Sequence, residues 1–192
     1  MMEYRQDIEH SLLGQLLVAM PGMRDSRFEK TVIYICAHSA EGAMGLVVNK
    51  PCDEITFPDL LEQLGIEENG ATDRIDLHFG GPVESSRGFV LHSPDYLRDA
   101  SLVVDEDMAL TATIDILKAI ASGAGPSRSL LAIGYAGWGP GQLDTEILNN
   151  GWLHVDADDE LVFGSDLGIK WEQAMGKIGI DHRMLVDEAG HC

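Results

Sequence analysis

The sequence predicts a single α+β domain spanning residues 1–192, built on a mainly antiparallel, curved sheet with several short helices. Apolar runs of strand length follow one another, with helical segments as isolated interruptions, which differs from the regular βαβα alternation of a doubly wound fold. No internal repeat, low-complexity tract or Pro/Ser-rich linker divides the chain. Its 192 residues, 45% hydrophobic and 23% charged, suffice to bury about 70% of the extended chain's surface in one core without a disulfide or metal staple.

Residues 1–10 read as a loosely docked or poorly ordered N-terminus. Leu16–Met20, Thr31–Ala37 and Ala43–Asn49 are apolar runs rich in Val and Ile, bounded by Pro21, Gly22, Glu41, Gly42 and Pro51, and read as buried strands joined by tight turns. Thr56 then stands as an N-cap before Phe57-Pro58-Asp59-Leu60-Leu61, with leucines at helical spacing and a stop at Gly65. Strands are predicted at Ile75–Phe79, Gly88–His92 and Leu102–Val104. Thr113–Ala121 carries Ile114, Leu117, Ile120 and Ala121 on one helical face and closes at Gly123, although its first residues also suit a strand. A strand at Leu130–Tyr135, a helix at Gln142–Leu148, strands at Trp152–Val155 and Leu161–Phe163, and a helix at Ile169–Lys177 complete the order.

The charge narrows the partners. The chain has 13 basic and 32 acidic residues, a net charge of −19, so neither nucleic acid nor an anionic membrane is an expected partner. Leu12–Met20 does not read as a signal peptide, because Glu3, Asp7 and Glu9 outnumber Arg5 before it, and it is too short to span a bilayer. The protein is expected in the cytoplasm. Its cysteines, Cys36, Cys52 and Cys192, are odd in number and form no CxxC pair, which suits a reducing compartment. Cys36 lies inside an apolar strand and reads as a core thiol.

No catalytic motif is complete. Gly134, Gly137, Gly139 and Gly141 fall between a predicted strand and a predicted helix, the setting of many anion sites. But Gln142 stands where GxGxxG needs its third glycine, and Pro140 where a Walker loop needs lysine. The segment is either a turn that packs backbones closely or a small-ligand or peptide site. Trp138, between two glycines, can turn into the core or across a cleft; an exposed site is the expectation for Gln142 and, with it, Trp138. The seven histidines contain no HxxxH or HExxH pair, so neither metal nor cofactor is expected. Gly125-Pro126-Ser127-Arg128-Ser129 fails as a nucleophile elbow at its last position. His38 and Asn49 close successive strands, and a hairpin would bring them to a common end of the sheet. Asp156–Glu160 reads as a solvated turn between two short strands.

Taken together, Gly14–Pro21 with Asp25 and Phe28, Val32-Ile33-Tyr34-Ile35 with His38, and Gly42–Pro51 resemble the first block of the AlgH/YqgE family of bacterial proteins. Phe79–Val83 with Arg87–His92 resembles its second block, and Gly134–Leu143 its third. The resemblance runs from about Gly14 to Gly190. It departs at Asp144, where glutamate is usual, at Lys50, where arginine is common, and at Gly151, where alanine is typical. The resemblance implies a bent or bifurcated sheet forming a pseudo-barrel. It implies no established activity, only a label of transcriptional regulator, and the absence of a Lys/Arg-rich helix argues against direct DNA contact. The leading expectation is a non-enzymatic binding or regulatory protein for an unknown protein or small molecule. Its candidate site residues are His38, Asn49, Gly80, Gly81, His92, Gly137, Trp138 and Gln142. The alternative is a hydrolase or transferase with His38 or His92 as general base and Asn49 and Gln142 as orienting groups.

Overall fold

A computed structural model describes residues 11–67 and 75–179; the expectations for residues 1–10 and for Cys192 lie outside them. The strands are β1 (Gln15–Ala19), β2 (Val32–Ser39), β3 (Gly42–Val47), β4 (Leu77–Phe79), β5 (Val83–His92), β6 (Leu102–Val103), β7 (Ala109–Thr111), β8 (Ser129–Trp138) and β9 (Trp152–Asp156). The helices are α1 (Phe57–Gln63), α2 (Ile114–Ala121), α3 (Gln142–Leu148), α4 (Asp159–Phe163) and α5 (Lys170–Ile178). One sheet runs in the order β6-β7-β5-β8-β3-β2-β1-β9 and curls into a half-barrel of a single α+β domain. Every pairing is antiparallel except that of β4 with β8.

The apolar runs of β1 to β3 do not alternate with polar residues because both of their faces are covered. Leu16, Val18, Val32, Tyr34 and Leu46 point into one cluster, roofed by Leu161, Val162, Trp171, Ala174 and Met175 of α4 and α5. Leu17, Ala19, Ile33, Ile35 and Val47 point into another, with Trp138, Leu143 and Trp152. Helix α1 begins as its sequence indicates: the Thr56 hydroxyl accepts from Asp59 N and the Asp59 carboxylate accepts from Thr56 N. Phe57, Leu60 and Leu61 bury its inner face.

The predicted strand at Leu161–Phe163 is instead the end of helix α4. Asp158 caps it by accepting from Leu161 N, so the acidic run after β9 starts a helix rather than making a plain turn. A three-residue apolar run is too short to display a period, and the aspartate cap decided its conformation. Strand β7 had no signal of its own: its three residues, all buried, are ordered by pairing with β5 and β6.

Strand β8 extends to Trp138 and takes Gly134 and Gly137 into the sheet, so the glycine loop shrinks to residues 139–141. Here the sheet bifurcates. Along one edge β8 pairs first with β4, Leu77 facing Leu131 and Phe79 facing Ile133, then with β3, Gly45 facing Ala136 and Ala43 facing Trp138. At the switch Gly134 has φ +76°, and a Cβ there would stand 2.2 Å from Gly81 O. Across from it, a Cβ on Gly80 would meet Gly134 O at 2.3 Å and one on Gly81 would meet Tyr135 C at 2.0 Å. Only glycines permit so close a main-chain crossing. The turn at Gly134 also changes the strand's phase: Leu130 and Ala132 face the first cluster, whereas beyond it Tyr135 packs there and Ala136 and Trp138 face the opposite one.

Candidate functional site

Helices α4 and α5 roof only part of the inner sheet face. Where they stop, the face opens into a basin of about 700 Å³. Met44 of β3, Phe89 of β5, Leu110 of β7 and Tyr135 of β8 form its apolar floor, and Ala100, Leu102 and Ala112 flank it. Phe89 and Tyr135 meet edge to face at 5.5 Å between ring centroids. Gly137 contributes exposed backbone to the basin, flanked by the Tyr135 ring and the Val83 side chain.

The lip of the basin comes from an irregularity in β5. Val83 faces Tyr135 and Gly88 faces Ile133, so the polar run Glu84-Ser85-Ser86-Arg87 bulges outward opposite Gly134 alone. Glu84 takes a left-handed φ of +48° to make that bend, a conformation an L-residue adopts at a cost. Arg87 lies 5.1 Å over the Phe89 ring and 3.5 Å from the Glu84 carboxylate. Glu41, on the β2–β3 turn, supplies the facing rim. No histidine, cysteine or lysine lines the basin.

Of the residues singled out by sequence, Gly137 and Trp138 border this basin, but the Trp138 indole is committed elsewhere. It is 8% exposed and packs edge to face on Trp152 at 6.2 Å. Gly80 and Gly81 form the strand crossing. His38 and Asn49 do not share an end of the sheet. His38 faces Ala43 beside the hairpin turn while Ile33 faces Val47 at the open end, about 16 Å of strand away. A hairpin necessarily separates the residue before its turn from the one that finishes its return strand.

The hydrogen bonds of these groups are largely internal. His38 Nδ1 accepts from Leu12 N at 2.9 Å, which leaves Nε2 as the protonated nitrogen, 3.5 Å from Asp144. Asn49 accepts from Val32 N and donates to Lys30 O. Gln142 accepts from Gly139 N and donates to Glu146, whose other oxygen accepts from the Trp152 indole; its side chain is exposed, and it braces the glycine loop. His92 is wholly buried. Its Nδ1 donates to Ser93 O at 2.8 Å, so Nε2 accepts from the Thr111 hydroxyl, also at 2.8 Å. Burial holds its pKa below the usual histidine value. Burial likewise pushes the Cys36 thiol up to about 12.

The side chains that build the basin were not among the sequence candidates, although Arg87-Gly88-Phe89 belongs to a family block. A polar tetrapeptide, Glu84–Arg87, interrupting an apolar strand was the available signal. Among the described residues, no group of three His, Cys, Asp or Glu is placed to hold a metal ion, and no helix is long and apolar enough to cross a membrane.

Comparison with known proteins gives a consistent result. A family model described as AlgH-like matches residues 16–183. A UPF0301 protein of Rhodospirillum rubrum is 57% identical over 187 residues, covering 97% of each chain, and one from Jannaschia sp. is 54% identical over 188 residues, covering 97% and 98%. The solution structure of the AlgH protein from Pseudomonas aeruginosa superposes with a TM-score of 0.79 at 38% identity over 95% of this chain and 97% of that one. Protein DIP2367 of Corynebacterium diphtheriae, at 23% identity and TM-score 0.64 over 84% of each chain, shares the fold.

Proposed function

The chain belongs to the AlgH-like family, and from that premise we propose that it is a non-enzymatic cytoplasmic binding protein that regulates through whatever occupies the basin. The observation that carries the reading is an open, apolar-floored basin with no histidine, cysteine or lysine in its lining. Such a concavity can hold an apolar group on its floor, and neither histidine named as general base in the enzyme alternative lines it. The enzyme alternative needs a histidine with a free nitrogen facing a substrate. His38 and His92 both lie outside the basin, with their ring nitrogens engaged by the protein. Regulation by direct contact with duplex DNA is disfavoured by the net charge of −19, which forgoes counterion release.

The test is to purify the native protein and two variants that fill the basin, Ala100→Trp and Ala112→Trp, under non-denaturing conditions. Bound metabolites and peptides are then identified by native mass spectrometry. A species held by the native chain and lost from both variants, with unfolding midpoints unchanged, supports the reading. A species retained by both variants refutes it.

A further inference from the structure

The basin's rim carries more than an apolar invitation. Resting on the binding reading above, we propose that the occupant is an extended peptide segment of a partner protein in which Lys or Arg stands beside a large apolar residue.

Three ionisable carboxylate or guanidinium groups line the basin: Glu41, Glu84 and Arg87. Arg87 is spent, because it sits on Glu84 at 3.5 Å and covers Phe89. Glu41 has no ion-pair partner among the described residues. The rim therefore presents one uncompensated carboxylate, within a chain of net charge −19. The field favours a cationic visitor and repels an anionic one.

The backbone favours a peptide over a small amine. Strand β7 pairs with β5 only at Val90, Leu91 and His92, so the outer edge of the exposed stretch Glu84–Arg87 faces no strand. An extended main chain can add to that edge while alternate side chains drop onto the floor. An aromatic or aliphatic side chain fits against Met44 and Tyr135, the half-buried residues of the floor, and a neighbouring Lys or Arg sits in the field of the acidic rim.

Fluorescence anisotropy at physiological ionic strength tests this with three labelled hexapeptides: Gly-Lys-Leu-Phe-Lys-Gly, Gly-Ser-Leu-Phe-Ser-Gly and Gly-Glu-Leu-Phe-Glu-Gly. The lysine peptide should bind saturably and most tightly. Glu41→Lys should weaken it about five-fold. Glu62→Lys, the same charge change on exposed α1, should alter it by less than about two-fold, which separates a rim contact from the field of the whole protein. Ala100→Trp, at an exposed position where misfolding is not a concern, should abolish binding, as should Ala112→Trp.

Serine or glutamate peptides binding as tightly as the lysine peptide, with Ala100→Trp still blocking, would overturn the cationic assignment and leave the binding reading standing. Equal effects of Glu41→Lys and Glu62→Lys would overturn it too, as would no binding of any of the three peptides. Binding indifferent to both tryptophan variants would sink the peptide and the basin together.

Discussion

Replacing Trp138 by alanine tests where the indole belongs. The side chain is 8% exposed and packs in the cluster that holds Leu17, Ile33, Ile35, Leu143 and Trp152. Truncating a buried tryptophan costs about 3 to 5 kcal/mol, of which the edge-to-face contact with Trp152 accounts for about 0.5 to 1.5 kcal/mol. Against a typical domain stability of about 5 to 15 kcal/mol the variant should be crippled but measurable. With a urea m-value of about 2 kcal/mol/M, the midpoint should fall by about 2 M. Far-UV circular dichroism is the suitable probe, since tryptophan fluorescence is itself altered by the substitution. Trp138→Phe, which keeps a ring against Trp152, should recover more than half of the loss. A loss below about 1.5 kcal/mol for Trp138→Ala would show that the indole is not part of the core and would return it to the site.

Gly134→Ala should prevent folding or cost more than about 4 kcal/mol, because a Cβ 2.2 Å from Gly81 O cannot be accommodated without parting two strands. Gly141→Ala, equally left-handed at φ +71° but with nothing within 4 Å, should cost only about 1 kcal/mol; similar losses for both in urea melts would refute the crossing argument. Lys170 is 1% exposed and donates to Val48 O and Val162 O, and burial lowers its pKa from 10.5 to about 8. The unfolded chain therefore binds the extra proton between these values, so this residue's contribution to stability rises with pH from about 8 to 10.5, by at most about 3 kcal/mol. Cys36 and Tyr34, both with raised pKa values through burial, act in the opposite direction above about pH 9. The difference between native protein and Lys170→Met across that range isolates the lysine, and a pH-independent difference would count against its buried ammonium. In a Cys52→Ser, Cys192→Ser background, the Cys36 thiol should react with a disulfide reagent only as fast as the chain unfolds; prompt native-state labelling at pH 8 would contradict its burial.

Much of the fold can be read along the chain because local chemistry and tertiary structure agree there. Thr56 and Asp59 cap α1 wherever the helix is placed, and the Val/Ile-rich runs of β1 to β3 are too apolar to remain outside. The family blocks likewise mark the segments that meet at the strand crossing. What those segments do was another matter. Gly80, Gly81 and Gly134 look like a mobile, ligand-cradling composition until their backbones are seen pressed together, and the separation of His38 from Asn49 is a property of the hairpin's register. Leu161–Phe163 and Ala109–Thr111 are too short to carry a period, so a cap decided the first and neighbouring strands the second.

The basin was decided by tertiary structure alone. Met44, Phe89, Leu110 and Tyr135 come from four different strands, and each is an ordinary core residue by sequence. Met44 and Tyr135 remain half-buried beside the buried Phe89 and Leu110 because the roofing helices α4 and α5 stop short of them and because the left-handed turn at Gly134 changes the phase of β8. That single turn sends Trp138 into one core and Tyr135 to the edge of the other. Sequence determines which side chains seek burial; only the closed geometry of the strands determines which of them are left partly uncovered.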